Sequence, residues 1–114
     1  MTYGPPLRRF LMCIADGRGR GTYNTYVLES DQIAGPWFLV AYMERFGEHG
    51  YFVNIPSKFI SRDGRTAWLC YSNNWTQDQK TNPPGGRYGL CLQEIKLLQG
   101  VTEGIPPMEP VPVR

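Results

Sequence analysis

The 114 residues predict an all-β fold of antiparallel sheets, and three observations carry that expectation. The apolar runs are short. Turn residues bound nearly all of them: thirteen glycines and ten prolines are about one residue in five, against roughly 12% in an average protein. No window of about 11 residues keeps a helical 3.6 period. At 41% hydrophobic and 13% aromatic residues, the chain has enough apolar surface to fold.

The first strand is expected from Leu7 to Ala15, ended by Asp16-Gly17-Arg18-Gly19-Arg20-Gly21. Tyr23 to Glu29 is the second, rich in the Tyr, Thr and Val that suit a pleated surface. Asp31 to Pro36 turns the chain into a third, Trp37 to Tyr42, and Met43 to Glu48 has room for a helical turn. Tyr51 to Asn54 and Ser57 to Ser61 flank Pro56, which cannot donate to a ladder and so marks an edge or a strand entry. Lys58 to Arg62 and Arg65 to Ser72 flank Asp63-Gly64, the signature of a hairpin with a type I′ turn. Asn73 to Gly86 reads as a polar loop, and Arg87 to Leu98 as the last of about six strands. Residues 1–100 form the expected domain, and 101–114, with Pro106, Pro107, Pro110 and Pro112, an extended tail.

Composition excludes several roles. Twelve basic against ten acidic residues leave a net charge of +2, with no basic run beyond Arg8-Arg9, so nucleic acid is not an expected partner. No run approaches the roughly 18 to 20 apolar residues of a spanning helix, and no membrane partner is expected. The opening Met1-Thr2-Tyr3-Gly4-Pro5-Pro6 lacks the basic start and apolar stretch of a secretory leader. The compartment stays open. Cys13, Cys70 and Cys91 sit in apolar runs without metal-ligand spacing. They read as free thiols acting as small hydrophobes, the alternative being a Cys70–Cys91 disulfide across neighbouring strands. His49 stands alone as a loop residue, so neither a metal nor any other cofactor is expected.

The runs Leu11 to Ala15, Trp37 to Tyr42 and Ala67 to Tyr71 are apolar at consecutive positions, hence on both faces. Such strands are covered above and below. With no helices to cover them, the covers are other sheets, and a β-propeller stacks small antiparallel sheets in this way. The chain holds enough strands for about two blades, so it reads as part of something larger or as a protomer completed by association. On this reading the Trp37 and Trp68 rings serve blade-to-blade packing.

Four segments resemble one family. Glu29-Ser30-Asp31-Gln32-Ile33-Ala34-Gly35-Pro36-Trp37 resembles the "S-x-x-x-x-GPW" blade turn of five-bladed propeller glycoside hydrolases, such as families 43, 32 and 62. There it joins the middle strands of a blade. Leu7 to Met12 resembles the strand before it. Tyr51 to Phe59 resembles the entry to the innermost strand of the following blade, and Asp63 to Ser72 the "DG-x-x-x-W" hairpin of that blade. The resemblance implies the C-terminal blades of a carbohydrate-active propeller with a secreted or cell-surface parent. Its catalytic carboxylates come mostly from earlier blades, and none of the acids here matches one. By itself the chain is expected to supply substrate-side contacts and blade closure without hydrolysis.

Two groups of residues suit a sugar site. In the innermost-strand entry, Asn54, Ser57 and Lys58 offer an amide, a hydroxyl and an ammonium, while Tyr51 or Trp75 could stack on a pyranose. In the glycine-rich loop, Arg18 and Arg20 could clamp a uronate. The same residues also read as an ordinary strand-entry turn with Lys58 in water, and a plain interstrand loop. Asp16 and Glu29, ending adjacent strands, are a conceivable acid/base pair. The rival to the carbohydrate reading is a non-enzymatic binding or assembly module that self-associates through apolar sheet faces.

Overall fold

A computed structural model describes residues 1–16, 23–46, 50–74, 88–98 and 100. They form two antiparallel sheets and no α-helix among the described residues. Strands β1 (Thr2–Gly4), β2 (Arg9–Asp16), β3 (Asn24–Ser30) and β4 (Phe38–Met43) make a four-stranded meander. Strands β5 (Tyr51–Asn54), β6 (Thr66–Asn74) and β7 (Tyr88–Lys96) make a three-stranded one.

Side-chain alternation sets the layers. In the first sheet Leu11 and Val27 point inward, and in the second Val53, Ala67 and Leu69 do. With Ile55 and Ile60 they form one core between the sheets, flanked by Leu7, Cys13, Met43, Phe46, Tyr71 and Ile95. The Phe46 ring meets Tyr71 edge-on at 4.7 Å, tying the end of the first sheet to the second. The edge strands β1 and β5 also come together, where the Thr2 hydroxyl donates to Asn54 Oδ1 at 3.4 Å.

One buried group stands out. Thr25 is fully buried on the inner face, and among the described residues its hydroxyl has no hydrogen-bond partner. A lone buried hydroxyl costs desolvation that an isosteric methyl does not. Thr25→Val should therefore raise stability by about 1 kcal/mol, read as a higher urea midpoint at constant slope. A lower midpoint would show that the hydroxyl is bonded after all.

Several expectations need correction. A short strand, β1, precedes the expected ones, and Gly4 turns into β2 through a bend in which Leu7 N donates to Gly4 O at 2.9 Å. Ser57–Phe59 is a turn of 3₁₀ helix where a strand was expected. Pro56 enters it with φ −62° and accepts the Phe59 N–H at 2.9 Å, so the chain coils before it can pair.

The reversal at Asp63-Gly64 exists, with Ser61 N donating to Thr66 O at 2.9 Å, but it is not type I′. Gly64 alone of the pair is left-handed, at φ 68°. Asp63 is held by its side chain, which accepts from the Ser61 hydroxyl at 2.6 Å and from Arg65 N at 3.1 Å. Those bonds hold the Asp63 carboxyl below its usual pKa.

The Glu29–Trp37 turn joins the third and fourth strands of its sheet, where the resemblance implies middle strands. Asn73 and Asn74, assigned to the polar loop, extend β6. The rest of that loop, the glycine-rich loop from Gly17 to Thr22, His49 and the 101–114 tail lie outside the described residues.

Candidate functional site

Three surfaces are built by this arrangement. The first gathers the residues expected from sequence. Asn54 is exposed on β5, opposite Cys70 in the ladder. Lys58 is exposed on the following turn, with its ammonium 5.2 Å from the Phe59 ring centroid. That ammonium also lies near Cys70, where it works against the burial that raises the thiol's pKa. Ser57 is exposed beside them. Tyr51 is half-buried, its ring 5.8 Å from Tyr23 and 4.7 Å from Phe52. Thus Asn54, Ser57 and Lys58 share one edge and β1 reaches it through Thr2. Arg18, Arg20 and Trp75 lie outside the described residues.

The second surface is a cleft of about 300 Å³ lined by Arg9, Glu29, Ser30, Asp31, Gln32, Pro36 and Phe38. Glu29 stands opposite Leu11 on one side and Phe38 on the other, so the cleft continues the inner face beyond the core. The Ser30 hydroxyl accepts from Gln32 N at 3.1 Å, which closes the turn at its rim. Two carboxylates, a guanidinium, an amide and an exposed ring can bind a polar, hydroxyl-rich ligand. Sequence reading had the turn but not the cleft, since Arg9 joins it only once β2 and β3 are in register.

The Asp16–Glu29 pairing is not formed. Asp16 stands opposite Asn24 and Glu29 opposite Leu11, five steps along the ladder, or about 17 Å, and on opposite faces.

The third surface is the outer face of each sheet. On the four-stranded sheet, register sets Phe10 beside Tyr3, Met12 beside Leu28 beside Leu39, and Ile14 beside Tyr26 beside Tyr42. Tyr3 and Phe10 meet at 4.9 Å and Tyr26 and Tyr42 at 5.0 Å, so the rings shield one another. These rows carry no charge, yet Tyr3, Ile14 and Tyr42 are exposed. On the three-stranded sheet the outer positions include Trp68, Cys70, Leu90 and Leu92. Trp68 is 40%, Leu92 50% and Leu90 79% exposed. Trp37 is half-buried. Trp68 therefore projects from a bare face, and among the described residues no second sheet lies over it.

The cysteines follow the same geometry. All three are free, and half-buried rather than buried. Cys70 faces Leu92 and Cys91 faces Tyr71, one step apart, so the two thiols project from opposite faces and cannot form the alternative disulfide. Cys13, on the inner face opposite Val27, is pushed from 9.0 up to about 11 by burial, with the amino terminus opposing weakly. Because the folded state holds this proton more tightly, its effect on stability is absent below about pH 9. Stability then declines as pH rises from 9.0 towards about 11. A thiolate-selective reagent at neutral pH should leave Cys13 unmodified until the chain is unfolded. Equal labelling in both states would take Cys13 off the inner face.

The fold and these surfaces define a class: an all-β chain of two meanders joined by one core, with apolar surface on the outer side of both. No known protein family, no curated protein and no solved structure matches the chain.

Proposed function

We propose that this chain is a non-catalytic β-sheet module whose outer faces are covered by further β-sheets. The observation that carries the reading is the set of apolar rows on the outer face of the four-stranded sheet, bordered by Asp16 at one end and with Tyr3, Ile14 and Tyr42 exposed, repeated more weakly on the three-stranded one. A two-layer protein that works alone in water keeps such faces polar. The propeller reading is supported by two successive meanders that share one core and by the meeting of the edge strands β1 and β5 at Thr2 and Asn54. A hydrophobic-surface dye tests the module: the wild-type chain, or its assembly dispersed by dilution, should bind it, and Ile14→Lys should bind less. A dispersed chain that binds no dye would overturn the reading.

A second reading, contact with carbohydrate, is favoured by the cleft beneath the Gly35-Pro36-Trp37 turn, where Phe38 is 60% exposed beside Glu29 and Asp31. It agrees with the likeness to carbohydrate-active propellers. Titration with arabinan and xylan oligosaccharides should give binding that Phe38→Ala or Asn54→Ala weakens, without turnover of aryl glycosides. Turnover abolished by one carboxylate substitution would overturn the non-catalytic role.

A further inference from the structure

We infer that the partner covering these faces is a second copy of the same chain, packed head to tail. The outer face of the four-stranded sheet of one copy lies on the outer face of the three-stranded sheet of the next, and the series closes into a ring. This rests on the module reading and names its partner.

Three features favour it. First, the chain already joins a four-stranded to a three-stranded face in its own core, and the outer contact repeats that pairing. Second, the footprints match. Strands of three, eight, seven and six residues in one sheet, and of four, nine and nine in the other, span roughly 400 Å² each in plan at about 4.8 Å between strands. With side chains standing up from both, a contact removes on the order of 1,000 Å² in all, the lower bound for specific association, and closure of the series gives every copy two such contacts. Third, a two-fold dimer through either face leaves the other in water, with Trp68, Leu90 and Leu92 or Tyr3, Ile14 and Tyr42 still exposed. A head-to-tail series covers both.

Charge does not oppose the contact. The apolar rows of the first face carry none, and Asp16 lies beyond them at the end of β2. On the second, Glu94 stands beside Trp68 and Lys96 beside Thr66 towards one end of β7, with Lys58 near Cys70, so the charges sit at the borders of the Leu90 and Leu92 patch. Each packed pair of twisted sheets adds rotation in the same sense. Closed rings of such sheets hold roughly four to eight, so about two to four copies complete one.

The test uses the full chain, Ile14→Lys on the first face and Leu92→Lys on the second, each checked for retained β-structure by circular dichroism. Light scattering should give one discrete multiple for the wild type and the mass of a single chain for each variant. Mixing the variants should restore one contact, the intact first face of Leu92→Lys on the intact second face of Ile14→Lys, and so give a one-to-one dimer. A Leu92→Lys chain that still dimerises alone would mean a two-fold contact and overturn the inference. A polymer of unlimited mass would overturn the ring.

A wild-type monomer at all concentrations would overturn the second-copy partner. If that monomer still binds the dye and Ile14→Lys binds less, the module reading stands without it; if it binds none, both fall. Should a variant unfold, the wild-type mass decides.

Discussion

Ile55→Ala should cost about 3 kcal/mol, the largest loss expected from a single side chain here. Ile55 is 2% exposed and, among the described residues, belongs to a core of seven buried apolar residues, five from the two sheets and Ile55 and Ile60 from the segment between β5 and β6. Truncation removes the transfer energy of its lost carbons and leaves a cavity between two β-layers that can close only by sliding. Total stability for a domain of this size is of order 5–15 kcal/mol, so the variant should lose a large share of it. The measurement is urea unfolding by tryptophan fluorescence, with the midpoint falling and the slope unchanged. A loss below about 1 kcal/mol would mean that the sheets do not meet over Ile55.

Gly64→Val should follow, at about 2–3 kcal/mol. Gly64 sits at φ 68°, and a Cβ there would lie 3.0 Å from Leu7 Cδ2. A β-branched side chain meets both obstacles: a left-handed backbone that it disfavours and a half-buried leucine that must give way. Gly64→Asn supplies the control, since asparagine tolerates that backbone, and should lose about 1 kcal/mol. Equal losses for the two variants would assign the effect to the contact with Leu7 rather than to the backbone. The same turn carries the hydrogen bonds that hold Asp63, so its failure would also free the start of β6.

Much of the architecture was legible because turn residues punctuate the chain. β3, β4 and β5 lie within a residue of the runs bounded by Asp31 to Pro36 and by Gly50. The doubly apolar runs also pointed to strands with something on each side; one side is the core, and among the described residues no layer covers the other. β1 was not legible: three residues ahead of Pro5-Pro6 carry no periodicity, and they become a strand only because β2 offers its edge. Ser57–Phe59 was misread because Lys58-Phe59-Ile60-Ser61 has strand composition, while the proline-led hydrogen bonds that coil it are local geometry. For the site, neighbours in sequence such as Asn54, Ser57 and Lys58 were found together. The cleft was missed because Arg9, Glu29 and Phe38 meet only through register.

The register shift in β4 has its own consequence. Ala41 stands opposite Val27 and Leu39 opposite Leu28, so Val40 is an extra residue that interrupts the outer rim of the first sheet. At the other rim β1 is only three residues long, and in the second sheet β5 is broken at Phe52, whose φ is 54°. None of these three borders offers the long, regular row of amides and carbonyls that recruits a foreign strand. Growth by strand addition, the route to fibrils, needs two open margins and is blunted at three of four, so only the nine-residue β7 offers an edge and an endless ribbon cannot propagate through it.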